Sequence, residues 1–322
     1  DYSLAPVSKK MSEIINQKVN FIDEIYGKKV NESIENSKSK INLIENLRLH
    51  EGEVNNDDEF AKNVTFPFDT YIFDAFGASH RNHASVVSFG KYLDSYQGPL
   101  MNNEIEQLDK LLVNEKTGYV VLLGGAKISD KLSLIDNLLP KVEHLLIGGG
   151  MCFTFLKSMG YEIGNSLLED SFISKANELL NSEHGHKIVL PSDFGVTELI
   201  ESELREDINI EDFRNNHIGI DIGPNTISAF ASILLSSKNI FWNGPMGVFE
   251  IDKFSKGTQE ITEIIAKSSA YTCIGGGDSV SAINKFSNIQ YFNHISTGGG
   301  ASLEYLEGKK LPGVNIYNSL II

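Results

Sequence analysis

The chain has 322 residues, 41% hydrophobic and 22% charged, which is the usage of an ordinary soluble globular protein, and at about 150 residues per domain its length predicts two domains. With 28 Lys and Arg against 43 Asp and Glu, the net charge of −15 repels polyanions, which argues against nucleic acid or an anionic membrane as partner but leaves room for a small phosphorylated ligand. The two cysteines, Cys152 and Cys273, sit in apolar runs without a CxxC pair, as expected of core thiols in a reducing compartment, and no apolar run approaches the ~20 residues of a membrane helix.

In chain order, an amphipathic helix is expected at 7–15 and strands at 19–22, 40–44 and 71–73. An apolar-periodic helix at 102–112, introduced by Gly98-Pro99, marks the expected domain junction. Beyond it, a short apolar run followed by a glycine turn and a helical segment recurs at 119–125, 144–150, 271–277 and 295–300, with further strand-and-turn units at 188–193 and 240–245. Continuously apolar strands alternating with helices predict a doubly wound parallel sheet covered on both faces. Glycine turns at the carboxyl ends of such strands let backbone N–H groups approach a ligand, so several on one edge predict a phosphate-binding rim. The acidic stretch 198–216 reads as a solvated surface helix and loop. The chain opens on Asp1, and only about a hundred residues precede the junction. A first domain of ~150 residues would therefore lack roughly 50, its first strand among them.

Three segments carry candidate chemistry. Gly124-Gly125-Ala126-Lys127-Ile128-Ser129-Asp130-Lys131 follows a strand and is expected to open a helix, with Lys127 and Lys131 stacked on one face. Two cations there oppose the helix dipole, a conflict that a bound anion would resolve. In Gly275-Gly276-Gly277-Asp278-Ser279 the carboxylate either caps a helix or holds Mg²⁺, a hard cation commonly bound through one carboxylate plus nucleotide phosphates. The loop from Asp74 to Ser85 holds His80, Arg81 and His83. Without a third ligand nearby the two histidines argue for an anion-binding, hydroxyl-lined loop rather than zinc, and Arg48, just after the strand at 40–44, is expected on the same sheet edge. Asp193-Phe194-Gly195 imitates a protein-kinase motif without its companion segments. The absence of GxxxxGK[ST] and GxGxxG disfavours a P-loop enzyme or a nicotinamide-dependent dehydrogenase.

Taken with Ser3-Leu-Ala-Pro-Val7, Glu45-Asn-Leu-Arg48, Asp74-Ala-Phe-Gly77, Gly148-Gly-Gly-Met151, Asp221-Ile-Gly-Pro224, Trp242-Asn-Gly-Pro-Met-Gly-Val-Phe-Glu250 and Ser296-Thr-Gly-Gly-Gly-Ala301, these segments resemble the phosphoglycerate kinase family from about Tyr2 to Val314. The resemblance implies an α/β protein of two doubly wound parallel-sheet lobes with a cleft between them, the first lobe incomplete. The lobes would comprise residues 1–100 for the acidic substrate, a linking helix at 101–113, a nucleotide lobe at 114–304 and a tail at 305–322 that returns to the first lobe. It implies reversible phosphoryl transfer from 1,3-bisphosphoglycerate to ADP, giving 3-phosphoglycerate and ATP, by a cytoplasmic, monomeric enzyme that uses Mg²⁺ and binds neither nucleic acid nor membrane. Lys127, Gly276 and Gly299 would act on the migrating phosphoryl group, and Arg48, Arg81 and His83 would bind the acidic substrate. Gly125, Lys131, Gly149, Asn243, Pro245, Glu250, Gly275, Gly277, Asp278 and Ser279 would bind the nucleotide, with Asp278 on the metal. The chain departs from the family's pattern at Phe73, where Asn is usual, and at Asn103, where Lys is usual. A non-catalytic binding protein on the same fold is the rival reading.

Overall fold

A computed structural model describes residues 2–112, 117–315 and 318–319. The chain forms two compact units, Asp1–Asn102 with Lys310–Ile322, and Asn103–Lys309. The expected boundary at 113/114 and the end of the expected tail lie outside the described residues.

The first unit opens with α1 (Ala5–Ile15), which carries Pro6 in its first turn, where a missing N–H costs nothing, and stops at Asn16 in the left-handed conformation. There follow β1 (Val19–Ile22), α2 (Lys28–Asn36), β2 (Ile41–Ile44), α3 (Glu51–Val54) and α4 (Asp58–Thr65). α4 starts where the Asp57 carboxylate accepts the Phe60 N–H at 2.6 Å, and it buries Phe60, Ala61 and Val64. β3 (Thr70–Phe73) and β4 (Asp94–Gln97) lead into α5 (Pro99–Leu112), whose first turn is held by Asp74 accepting the Met101 N–H at 2.9 Å. β1 and β2 pair in parallel as one sheet, while β3 and β4 belong to another.

The second unit runs β5 (Tyr119–Leu123), α6 (Leu132–Leu138), β6 (His144–Ile147), α7 (Cys152–Ser158), α8 (Ile173–Leu180), β7 (Ile188–Val189), β8 (Asp193–Thr197), β9 (Glu206–Asn209) and β10 (Ile218–Ile222). It continues with α9 (Pro224–Ser236), β11 (Asn239–Asn243), α10 (Lys256–Lys267), β12 (Tyr271–Gly275), α11 (Gly277–Phe286), β13 (His294–Ile295) and α12 (Gly300–Leu306). Six strands form a parallel sheet in the order β13-β12-β11-β5-β6-β7. All five residues of β5 are buried, as a strand covered on both faces requires. On one face Leu122, Ile240, Trp242 and Ile274 join Phe230, Leu234, Ile261, Ile265 and Ile283 of α9, α10 and α11 in one core cluster. From β5 the chain builds outward to β6 and β7, then returns to the other side of β5 with β11. The β5/β11 boundary is thus a topological switch point, the place where open α/β sheets bind ligands outside the carboxyl ends of their strands. Past this unit the chain returns to the first through α13 (Pro312–Asn315) and β14 (Asn318–Ser319), which pairs in parallel with β4.

Three expectations change. The strand-and-turn unit at 188–193 is shorter than expected, because β7 covers only Ile188–Val189 and Asp193 already starts β8. β8 stands outside the parallel sheet, in an antiparallel sheet of order β10-β8-β9. The acidic stretch 198–216 is not merely a solvated helix and loop, since it contains β9 and buries Ile210 and Phe213. β9 is an edge strand with Glu206, Asp207 and Asn209 exposed, and outward charges on an edge prevent further pairing while imitating a loop in sequence. Finally, Lys127 and Lys131 do not share a helical face. α6 begins only at Leu132 with Lys131 as its N-cap, so Lys127 lies outside the helix and the expected stacked pair of cations in its first turn does not form. The preceding turn is held out of helix by Glu169, which accepts both the N–H and the hydroxyl of Ser129 at 3.0 and 2.6 Å.

Phe73 is buried, and the Gly313 backbone lies so close to its ring that a Cβ there would collide with it. Gln97 donates to the Val314 carbonyl at 2.9 Å, further fastening the returning segment.

Candidate active site

The turns after β5, β6 and β11 meet backbone to backbone at the switch point. Gly125 N–H donates to the Pro245 carbonyl and Gly149 N–H to the Met246 carbonyl, both at 3.0 Å. Such contact excludes side chains: a Cβ on Gly124 would run into the Pro245 carbonyl oxygen. One on Gly149, at φ +63°, would lie 2.6 Å from the Gly125 N and O. Glycine is required there by proximity, not only by backbone freedom.

Beside these turns the Lys131 ammonium donates to the Asn243 side-chain oxygen. Burial holds the Lys131 pKa below its ordinary value, while Asp130 and Asp278 pull it back up. The Asn243 amide nitrogen faces Gly276, which has φ +88° and forms the N-cap of α11. Gly275 ends β12, Gly277 opens α11, and Asp278 stands exposed in its first turn, where a carboxylate is favoured. Ser279 is fully buried and accepts the Gly244 N–H at 2.7 Å, so its hydroxyl braces one turn against another. Lys285 donates to the Phe249 and Glu250 carbonyls at 2.9 and 3.1 Å and fixes the segment carrying Glu250. Gly299, at φ +55°, is the N-cap of α12 with open space beside it. The Thr297 turn before it is anchored by Glu104 of α5, which accepts the Thr297 N–H and hydroxyl, both at 2.7 Å, and bonds His294 at 2.8 Å. Burial would raise the Glu104 pKa, but these partners together hold it below the usual value. Lys127 is exposed, and no hydrogen bond or ion pair holds its ammonium among the described residues.

A cavity of about 220 Å³ opens at this place. Gly125, Gly149, Pro245, Glu250 and Asp278 line it together with an apolar wall of Phe153, Leu167, Gly219, Ile220, Met246 and Val248. Of the sequence-predicted nucleotide residues, Lys131, Asn243, Gly275, Gly277 and Ser279 are not among its lining. The apolar wall was missed, because Gly219 lies mid-strand rather than in a glycine-rich turn.

In the first unit Arg48 lies in a short turn after β2, with its N–H accepted by Asn46 at 3.1 Å, and Arg81 lies in the loop after β3. They follow strands of two different sheets among the described residues, not of one as the sequence reading had it. The charges of Arg48, Arg81 and His80 nevertheless all bear on His83. A buried carboxylate not anticipated from sequence, Glu53, organises this loop. It accepts the Ser85 N–H and hydroxyl at 2.9 and 2.6 Å and lies 3.6 Å from the His83 Nδ1. Burial lowers the His83 pKa, Glu53 opposes, and the neighbouring cations add to the lowering. His83 is therefore expected to titrate below 6.5 in a proton NMR pH series, and Glu53→Gln to lower its midpoint further. A folded-state value below the unfolded one means the folded protein binds fewer protons at this site. Its contribution to stability is accordingly lost as pH falls from about 6.5 through the folded value.

No group of three or more His, Cys, Asp or Glu able to hold a metal occurs among the described residues, and no helix there is long and apolar enough to cross a membrane. A Mg²⁺ ion held jointly with ligand phosphates needs only one such carboxylate, and exposed Asp278 on the cavity wall next to Gly276 fits that requirement.

Known proteins resemble the chain over nearly its whole length. The chain is 50% identical over 323 residues to the phosphoglycerate kinase of Finegoldia magna, covering 98% of this chain and 81% of that one. It is 48% identical over 322 residues to that of Thermosipho africanus, covering 98% and 80%. The solved structure of phosphoglycerate kinase from Coxiella burnetii superposes with a TM-score of 0.87 at 37% identity, covering 98% of this chain and 80% of the other. The family model described as phosphoglycerate kinase matches residues 1–309, which takes in the glycine turns, Lys131, Asn243 and Asp278 alike, and the chain belongs to the phosphoglycerate kinase family.

Proposed function

We propose that this chain carries out its family's reaction, the reversible transfer of a phosphoryl group from 1,3-bisphosphoglycerate to ADP, giving 3-phosphoglycerate and ATP. The convergence of three glycine turns with Lys131, Asn243 and Asp278 at the switch point carries the reading. ADP takes its nucleoside end into the apolar wall beside Pro245 and Glu250, and its phosphates lie along the backbone of Gly125, Gly149, Gly275 and Gly277, neutralised by Lys131. Asp278 would hold Mg²⁺, which would screen phosphate charge. Arg48, Arg81 and His83 bind the acidic substrate in the first unit. Lys127, whose ammonium has no partner among the described residues, meets the charge that spreads over the migrating phosphoryl oxygens, helped by Gly276 and Gly299, which let the chain come close without a side chain in the way. In such a reaction positioning and electrostatics supply most of the catalysis. We place the work in the cytoplasm, since buried unpaired cysteines suit a reducing compartment, and take the monomer as the working unit.

Calorimetry tests the nucleotide site. Saturable ADP binding, tighter with Mg²⁺ and losing that metal dependence in Asp278→Asn, is expected. A folded protein that takes up no ADP at any Mg²⁺ concentration would sink the reading.

A further inference from the structure

The cavity's apolar wall contains an irregularity. In the β10/β8 ladder the register shifts between Gly219 and Asp221, leaving Ile220 as the extra residue of a bulge whose residues line the cavity. The Ile220 carbonyl accepts the Val248 N–H at 2.8 Å, and Gly219 N–H donates to Ser166 at 2.9 Å. Asp221, the next residue, is 3% exposed and gathers the surrounding elements. Its Oδ2 accepts Arg205 Nη1 at 2.7 Å and also the N–H of Gly257 in the first turn of α10. Its Oδ1 has no hydrogen-bond partner among the described residues and lies in a cradle where a Cβ on Gly247, another cavity residue, would come within 2.7 Å. Arg205 spends its whole fork here, with Nε on Asp207 at 2.8 Å and Nη2 on the Ile222 carbonyl at 3.1 Å. Burial pushes the Asp221 carboxyl up to about 6 against the pull of Arg205. A half-satisfied buried carboxylate is costly, and stability alone would be better served by an apolar pair.

We infer that Arg205 and Asp221 are positioning residues for the nucleoside end of the cavity: together they hold the Gly219–Ile220 bulge and the Gly247–Val248 segment at the spacing a base requires. The inference rests on the cavity being a nucleotide site, and neither side chain need touch the ligand's phosphates.

The test compares ADP with pyrophosphate, which engages only the glycine-turn end, by calorimetry on the unsubstituted protein, Arg205→Lys and Asp221→Asn. Arg205→Lys keeps the charge but cannot reproduce the three-way fork. It is expected to raise the Kd for ADP roughly fivefold and leave that for pyrophosphate unchanged, with Asp221→Asn behaving alike. Should Asp221→Asn fail to fold, Arg205→Lys alone decides. Equal ADP affinity in the folded variants, or parallel losses for ADP and pyrophosphate, would overturn the inference. An unsubstituted protein that binds pyrophosphate but not ADP would overturn the nucleotide-site reading first and this inference with it.

Discussion

Lys127→Ala is expected to lower kcat about a hundredfold while leaving ADP affinity within about twofold, as for loss of a contact made chiefly in the transition state. The structural reason is that the Lys127 ammonium is exposed and unengaged in the turn after β5, so removing it disturbs neither the fold nor the Lys131–Asn243 pair. Its charge is felt by Glu169, which is anchored independently through Ser129. Coupled turnover assays and ADP titrations on the same preparation separate the outcomes. An ADP affinity that fell as far as kcat would make Lys127 a ground-state ligand. An unsubstituted protein that bound both substrates without turnover would favour the non-catalytic rival.

Gly124→Ala should be more damaging to the fold than any single polar substitution in the site. The added methyl would be driven into the Pro245 carbonyl, with the Gly244 carbonyl behind it, and backbone at the meeting of three turns cannot rotate aside as a side chain can. Overpacking of this kind costs up to ~3 kcal/mol or more. ADP binding should be lost as well, because Gly124 N–H to the Asn243 carbonyl and Gly125 N–H to the Pro245 carbonyl keep the two turns in register. Denaturant unfolding with ADP titration checks both, and a variant with native midpoint and native ADP affinity would show that the turns can part without cost.

Much of the second unit was legible because its signals are local. A run such as Tyr119–Leu123 ending in two glycines states both a doubly covered strand and a turn that backbone can approach, and neither depends on distant residues. The switch point then follows from order along the chain and the handedness of crossovers. Local propensity could not place the start of α6. It reads Lys127 and Lys131 as the first turn of a helix, whereas Glu169, 40 residues on, captures Ser129 and delays the helix to Leu132. Nor could it separate the edge strand Glu206–Asn209 from a solvated loop, since both are polar outward and the difference lies in the partner β8. The carboxylates that organise the two sites, Glu53 and Asp221, look in sequence like any other acidic residue. Their importance comes from burial, which raises the stakes of every hydrogen bond they make, and burial is decided only when segments far apart in the chain close over them.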